Sequence, residues 1–205
     1  MKQYNLKISQ DYHAENPRNY CNIGNFLTHE RGRVSPDQDK YLEDIILQAY
    51  SEYPKSVDDH IKKIKRIYKK QFGENLVLIA PISKHEHGSI NYYLGDQKRC
   101  QFDSCLAGFY IITKNSLRGF YGSEKRPKNK TLLKYIKAEI QLYNQWVNGE
   151  VYYFELEEME TKKINGKEFT RKEIIDESGN YYQLEHIREY LPDSFKNEDL
   201  NNYLI

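Results

Sequence analysis

The spacing of hydrophobic residues predicts a chain in which strands and helices are mixed without a regular repeat. Apolar and polar residues alternate over residues 3–8, which is typical of a half-buried strand. Apolar runs of strand length predict further strands at residues 20–27, 76–82, 90–94, 106–113 and 151–156. Because no βαβ repeat orders these elements, we expect an α+β fold with a mixed, mainly antiparallel sheet and helices packed on it.

Helical spacing of apolar residues predicts two consecutive helices in the first half of the chain. The run Ser-Pro-Asp-Gln at residues 35–38 predicts a helix start with Ser35 as the N-cap, and this helix extends to about residue 53. Ser56 begins the second helix, and Gly73 ends it.

Turn residues and a third helix divide the second half. The helix covers residues 131–147 and follows a charged loop at residues 124–130. Asn165-Gly166 predicts a type I′ hairpin, and the Ser-Gly-Asn run at residues 178–180 predicts another turn. Two short helices are expected at residues 182–191 and 197–203.

Length and composition indicate a folded domain. A chain of 205 residues fits a single α+β domain over residues 1–205, with residues 150–205 as a C-terminal hairpin-and-helix appendage in the alternative organisation. Aromatic residues make up 14% of the chain, including 19 Tyr and 8 Phe. This content excludes an intrinsically disordered chain, because disordered chains contain few aromatic residues.

Charge and cysteine usage exclude several classes of protein. The 31 Lys and Arg residues balance 30 Asp and Glu residues, which argues against both a dedicated DNA-binding domain and an acidic DNA mimic. No apolar run approaches the roughly 20 residues that span a bilayer, and the first residues lack the apolar region of a secretory signal. Three cysteines are too few for a disulfide scaffold, so we expect a cytoplasmic protein without membrane association.

The second helix has a strongly basic face. We interpret this face as a solvated surface because the whole chain is nearly neutral, and a nucleic-acid partner is the alternative. The basic side chains are Lys62, Lys63, Lys65, Arg66, Lys69 and Lys70.

Histidines and cysteines near the middle of the chain raise the question of a metal site. His85, His87, Cys100 and Cys105 are residue types that bind zinc. Two histidines one residue apart point to opposite faces of a regular strand, however, and the cysteine spacing is looser than in a zinc knuckle. Free side chains are therefore the favoured interpretation, and the question of a metal stays open.

A hydrolase is the enzymatic hypothesis. His29 or His87 would act as the base, Asp103 as its orienting group, and Ser104 or Cys105 as the nucleophile. The chain contains no Gly-x-Ser-x-Gly elbow, Walker loop, Gly-x-Gly-x-x-Gly run or His-Glu-x-x-His motif, and we predict no cofactor.

Three segments together resemble a group of small uncharacterised proteins encoded by bacteriophages and prophages. Members of that group have Asn-Pro-Arg leading to a Gly and a His, a His-Ser-Gly-Ile turn, and a Cys-Pro-Trp-Asp-Ser stretch before a Gly. This chain differs in having Gly-Ser after His87, Phe102 in place of Trp, and Cys105 in place of Gly. The resemblance extends in pieces to about residue 155. The matching residues are Asn16-Pro17-Arg18, Asn22-Ile23-Gly24 and His29, then residues 81–90 and 100–109, then Glu139, Tyr143, Gly149 and Tyr153.

The resemblance implies an accessory protein of phage or prophage origin that binds a host macromolecule, for which a component of a defence system is one candidate. A small His/Asp or metal-assisted hydrolase acting on a nucleotide or nucleic acid is the alternative. The resemblance also favours His29, His87, Asp103 and Ser104 as site residues. Because His29, His87 and Asp103 flank strands, we expect at least two of these three to approach within hydrogen-bonding or shared-metal distance.

Overall fold

The computed structural model describes residues 3–30, 33–96, 100–122 and 126–205. Within those residues the chain forms seven strands and five helices, and its two sheets are antiparallel, which confirms the α+β class. The strands are β1 (Gln3–Gln10), β2 (Asn25–Thr28), β3 (Leu76–His87), β4 (Ser89–Leu94), β5 (Ser104–Thr113), β6 (Tyr152–Ile164) and β7 (Lys167–Tyr181). The helices are α1 (Lys40–Ser51), α2 (Val57–Phe72), α3 (Lys114–Tyr121), α4 (Asn129–Val147) and α5 (Leu184–Ile187). Short 3₁₀ turns cover Pro17–Asn19, Arg188–Tyr190, Asp193–Phe195 and Leu200–Tyr203.

The chain divides into two compact units. The larger unit is Asn16–Asn144, and the smaller unit combines the described residues up to Glu15 with Gln145–Ile205. The first strand therefore belongs with the C-terminal part of the chain, which the sequence pattern does not indicate. The expectation of a single domain with an appendage at residues 150–205 stays a prediction.

The larger unit contains a four-stranded antiparallel sheet in the order β2-β5-β3-β4. Alternation along its strands directs Leu27, Phe109 and Ile111 to one face, where they form a core with the apolar sides of α1 and α2. Phe26 lies on the other face, and its ring centroid is 5.4 Å from that of Tyr143 on α4. Helices thus cover both faces of this sheet.

Local signals position α2 as predicted. The Ser56 side chain accepts a hydrogen bond from the Asp59 N–H, and Gly73 has a φ of 69° at the C-cap. The predicted start of α1 is wrong, because the N-cap is Asp39, whose side chain accepts from the Leu42 N–H. Ser35 instead accepts a hydrogen bond from the Thr28 N–H at 2.9 Å, so the residues before α1 cover the outer edge of β2.

The smaller unit is built on a sheet in the order β1-β6-β7. Leu6 and Ile8 of β1 share one face with Phe154 and Leu156 of β6, and the C-terminal turns pack over that face. The hairpin at Asn165-Gly166 is confirmed, with φ values of 52° and 77° at the two turn residues.

The predicted turn at residues 178–180 is wrong, because these residues lie within β7. Ser178 pairs with Phe154 and Tyr181 pairs with Tyr152, so β7 has one more residue than β6 between these pairs. The result is a β-bulge, and the Asn180 N–H at this bulge donates to Asp11 Oδ2 at 2.8 Å.

The structure differs from the sequence prediction at α3 and at the segment before α4. The sequence pattern did not predict α3, which begins with a capping box between Thr113 and Ser116. The predicted loop at residues 124–130 lies partly outside the described residues, and its last two residues, Asn129 and Lys130, belong to α4. None of the helices in the described ranges combines the length and the apolar character that crossing a membrane requires.

Candidate functional site

One end of the four-stranded sheet brings the predicted site residues to the same region. Ser104, the first residue of β5, pairs with His85 near the end of β3. The His29 N–H, directly after β2, donates to the Ala107 carbonyl at 3.0 Å. Because the sheet is antiparallel, the ends of β2 and β3 lie beside the start of β5.

His87 and Asp103, which come from separate segments, lie close to each other. His87 Nδ1 is 3.6 Å from Asp103 Oδ2, and the His87 side chain is 80% exposed. An ion pair so exposed to solvent contributes little to the stability of the fold, since water screens its charges. Its catalytic role stays a prediction.

Ser104 is buried and fixes the local backbone. Its Oγ accepts a hydrogen bond from the Cys100 N–H at 3.1 Å and lies 3.2 Å from His85 Nδ1. Cys100 Sγ is 3.5 Å from Asp103 Oδ2, while Cys105 is exposed and free. These contacts explain Ser104 without a catalytic role, which also stays a prediction.

His29 lies in a different environment. Its ring centroid is 5.5 Å from that of Tyr50 and 6.4 Å from that of His60. Burial, assisted by His60, lowers the pKa of His29, and burial likewise lowers the pKa of His60. Within the described residues no hydrogen bond joins His29 to His87 or Asp103, so the structure does not bring all three together.

An ion-pair chain at this end was not predicted from the sequence. Lys84 of β3 is buried, and its Nζ contacts Glu30 Oε2 and lies 2.9 Å from Glu86 Oε2. Arg33 contacts Glu86 through Nη2, and its Nε is 3.8 Å from Glu30 Oε2. Burial opposes the charge of Lys84, but Glu30 and Glu86 outweigh it and raise the Lys84 pKa. Lys84 in turn holds the pKa of Glu86 below its usual range.

A cleft of about 700 Å³ opens between the end of β2 and α1, and we call it the β2–α1 cleft. It is lined on the β2 side by Thr28, His29 and Glu30, and on the helix side by residues that include Ile46 and Leu47. Thr28 Oγ1, His29 Nδ1 and Glu30 Oε1 are buried and have no hydrogen-bond partner within the described parts of the chain.

Three consecutive residues with unpartnered buried polar atoms are unusual. Buried polar groups in folded proteins are nearly always hydrogen-bonded, and each exception calls for a specific explanation such as a bound water, ion or ligand. The Glu30 side chain is only 9% exposed, and its carboxylate contacts Lys84 through Oε2. Burial and the Glu30 carboxylate, which lies close to the Tyr92 hydroxyl, together raise the Tyr92 pKa. Oε1 nevertheless accepts no hydrogen bond of normal geometry from the described residues. The β2–α1 cleft is therefore the candidate binding site. The sequence singled out only His29 of this cleft as a site residue, and no signal linked Glu30 to Lys84, because these two residues are 54 positions apart.

A second buried charged network serves the fold. The Arg18 side chain is 2% exposed and donates to Asp37 Oδ2 at 2.6 Å, Glu139 Oε2 at 2.7 Å and the Gly24 carbonyl at 2.7 Å. Burial opposes the Arg18 charge, but the carboxylates of Asp37 and Glu139 outweigh it and raise the Arg18 pKa. The Tyr110 hydroxyl donates to Glu139 as well. Arg18, Gly24 and Glu139, which are far apart in the sequence, thus meet inside the larger unit.

The basic face of α2 is partly neutralised by neighbouring acidic residues. Lys63 lies 3.2 Å from Asp59, while Arg66 contacts Glu52 and Lys69 contacts Glu74. Lys62, Lys65 and Lys70 are exposed to solvent. Nucleic-acid binding by this face stays a prediction.

Neither the search for a metal site nor the comparison with known proteins identified a further functional feature of the described residues. Within the described ranges no group of three or more His, Cys, Asp and Glu side chains is arranged to hold a metal ion. No protein-family model, curated protein or solved structure matches the chain.

Proposed function

We propose that this protein is a binding protein that engages a bacterial host protein through the β2–α1 cleft. The observation that carries the proposal is the set of buried atoms on Thr28, His29 and Glu30 that have no hydrogen-bond partner among the described residues. Polar groups that are buried without partners are unfavourable, so a ligand that supplies the missing hydrogen bonds binds with a more favourable free energy.

The chemistry of these atoms favours a neutral amide group as the ligand. Glu30 Oε1 can only accept hydrogen bonds, and Lys84 already compensates the Glu30 charge. An amide N–H satisfies Glu30 without adding a second cation. The amide carbonyl can accept from the Thr28 hydroxyl or from a protonated nitrogen of His29.

Apolar side chains beside the cleft favour a polypeptide over a small solute. Val34 and Leu47 line the cleft and are 73% and 55% exposed, and Tyr50, next to His29, is 54% exposed. Exposed aromatic and aliphatic residues around a polar centre are typical of protein-binding surfaces. A peptide segment would cover these side chains while its amides enter the cleft.

The phage or prophage origin, the host partner and the bacterial cytoplasm as the place of action rest on the sequence resemblance described above. A defence-system component is the partner that this origin favours. The hydrolase alternative has less support, because the histidine beside the Ser104 hydroxyl is His85, whereas His29 lies against Tyr50 and the exposed His87 pairs with Asp103.

The experiment compares capture of host proteins by three forms of the immobilised protein. Wild type, Thr28→Val and a control, Tyr12→Asp, are incubated with bacterial lysate, and the retained protein is identified, purified and titrated for its Kd. Tyr12 is 82% exposed and belongs to the smaller unit.

We expect Thr28→Val to weaken binding of the purified partner about tenfold, the loss of roughly one hydrogen bond, without lowering stability, since the lost hydroxyl has no partner in the described residues. Tyr12→Asp should bind like wild type. Equal affinity of Thr28→Val and wild type, together with equal affinity of a Leu47→Asp variant, would reject the cleft as the binding site.

A further inference from the structure

The distal part of the β6–β7 hairpin is exposed along its whole length. Residues 160–177 are all exposed, and we call this segment the hairpin arm. Within the described residues, β7 is the last strand of its sheet, so its outer edge carries unpaired N–H and carbonyl groups. An exposed edge of this length is a template for pairing with another strand.

The hairpin arm also exposes apolar side chains. Phe169, Ile174 and Ile175 of β7 and Ile164 of β6 are each exposed by about half, between 46% and 55%. Proteins usually protect a free edge with charges, proline or a covering segment. The hairpin arm carries charges as well, so it can pair with another strand only in a register that sets opposite charges against each other.

We propose that β7 pairs antiparallel with β7 of a second copy of this chain, with the two-fold axis at Thr170. The pairing joins the two three-stranded sheets into one continuous sheet across both copies. It goes beyond the proposed binding function, because the hairpin arm lies in the smaller unit and the cleft in the larger one.

The register follows from the symmetry of antiparallel strands. Residues directly opposite each other share a face, so a two-fold axis must pass through a pair of identical residues. With Thr170 opposite Thr170, Lys167 lies opposite Glu173 of the second copy, and Glu168 lies opposite Lys172 of the second copy. Symmetry doubles both pairs, which gives four contacts between opposite charges.

Neighbouring registers within the regular stretch place like charges together. An axis at Arg171 or at Lys172 sets two identical cations opposite each other, and an axis at Phe169 sets Lys167 opposite Arg171. The regular stretch ends at Ile174, because the pairing with β6 shifts between Leu156 and Glu157. Within the regular stretch, charge complementarity therefore favours the axis at Thr170. An axis at Ile174 also sets Lys172 opposite Asp176 and Arg171 opposite Glu177, but those pairs cross the shift that ends the regular stretch.

The same register gives one of the apolar residues, Phe169, a partner. Phe169 lies opposite Arg171 of the second copy, where a guanidinium can stack on the ring. The two Phe169 rings are diagonal neighbours across the axis, a separation that aromatic side chains can span. Ile164, which pairs with Lys167 of its own hairpin, is on that face as well.

A charge-swap experiment tests both the dimer and its register. Sedimentation velocity over a concentration series measures the dimer Kd of wild type, Lys167→Glu, Glu173→Lys and the double variant that carries both changes. Glu168→Lys and Lys172→Glu form a second, independent set. Glu189→Lys is the control, because Glu189 is exposed in the same unit but outside the arm.

We expect wild type to dimerise, each single reversal to raise the Kd about tenfold or more by creating two like-charge contacts, and each double variant to recover the wild-type Kd. Three results would overturn the proposal: wild type remaining monomeric throughout, single reversals without effect, or double variants that stay as weak as the singles. Far-ultraviolet circular dichroism checks that every variant keeps its strands. If a variant of the first set fails to fold, the Glu168 and Lys172 variants provide the test of the dimer instead.

Discussion

Arg18 holds two carboxylates inside the larger unit, so we expect its loss to be costly. Arg18→Met leaves Asp37 and Glu139 without their shared cation, and removing one partner of a buried ion pair costs about 3–5 kcal/mol. Urea unfolding measures this change. The matched control is Arg66→Met, an exposed residue paired with Glu52, which should cost at most about 1 kcal/mol. A cost for Arg18→Met as small as the control would mean that the network does not stabilise the fold.

His29 and His60 make the stability of the larger unit sensitive to acid. Burial lowers the pKa of both rings in the folded state, whereas a histidine in the unfolded chain has a pKa of about 6.5. The unfolded state therefore binds protons more readily, and the stabilisation present above that pH is lost as the pH falls through the folded-state pKa.

We expect the free energy of unfolding to decrease between about pH 7.5 and about pH 5, and to decrease less in a His29→Gln/His60→Gln variant. Urea unfolding at a series of pH values gives both slopes. His13→Gln, a change at an exposed histidine, should leave the slope as in wild type. If the double variant lost stability with acid as steeply as wild type, His29 and His60 would not be the source of the pH dependence.

Residue chemistry alone could not reveal the candidate site. His29 was chosen for its residue type, and the structure puts it in the β2–α1 cleft, but Thr28 and Glu30 carried no signal. Their importance comes from buried polar atoms that have no hydrogen-bond partner in the described part of the chain, and such atoms can be recognised only once burial is known. His87 and Asp103 could be predicted to approach because both flank strand ends, and they lie 3.6 Å apart.

At the scale of elements, α4 offers a direct test of the packing. Ile140 is 3% exposed on the face of α4 that also carries the fully buried Ile136, so Ile140→Ala should cost about 2–5 kcal/mol through lost burial and a residual cavity. Chemical unfolding of Ile140→Ala and of the exposed neighbour variant Gln141→Ala measures the difference. A cost below about 1 kcal/mol would show that this face is not core.

Elements with local signals were predictable, whereas those shaped by distant partners were not. Ser56 caps a backbone N–H three residues away, Gly73 and Asn165-Gly166 adopt the positive φ that their own positions require, and all three signals are confirmed. Ser35 has the right residue type for an N-cap, but its hydroxyl accepts from Thr28. The Ser-Gly-Asn run at residues 178–180 resembles a turn, yet pairing with β6 keeps it in β7.

At the scale of the whole molecule, the division into two units raises the question of how they unfold. The smaller unit has its own core, in which Ile8 of β1 is fully buried beside Phe154 and Leu156 of β6. The larger unit has a separate core formed by α1, α2 and one face of its sheet. Units with separate cores can open independently, because disrupting one core leaves the packing of the other intact.

Ile8→Ala tests this independence, because the change removes buried volume from the smaller unit only. We expect hydrogen exchange to accelerate at the amides of β1 and β6, while the amides of β5, central in the other sheet, keep their wild-type protection. Phe109→Leu, a change in the core of the larger unit, should produce the converse pattern. Equal acceleration in both units by either variant would instead support a single cooperative domain, since a shared unfolding transition exposes every protected amide at once.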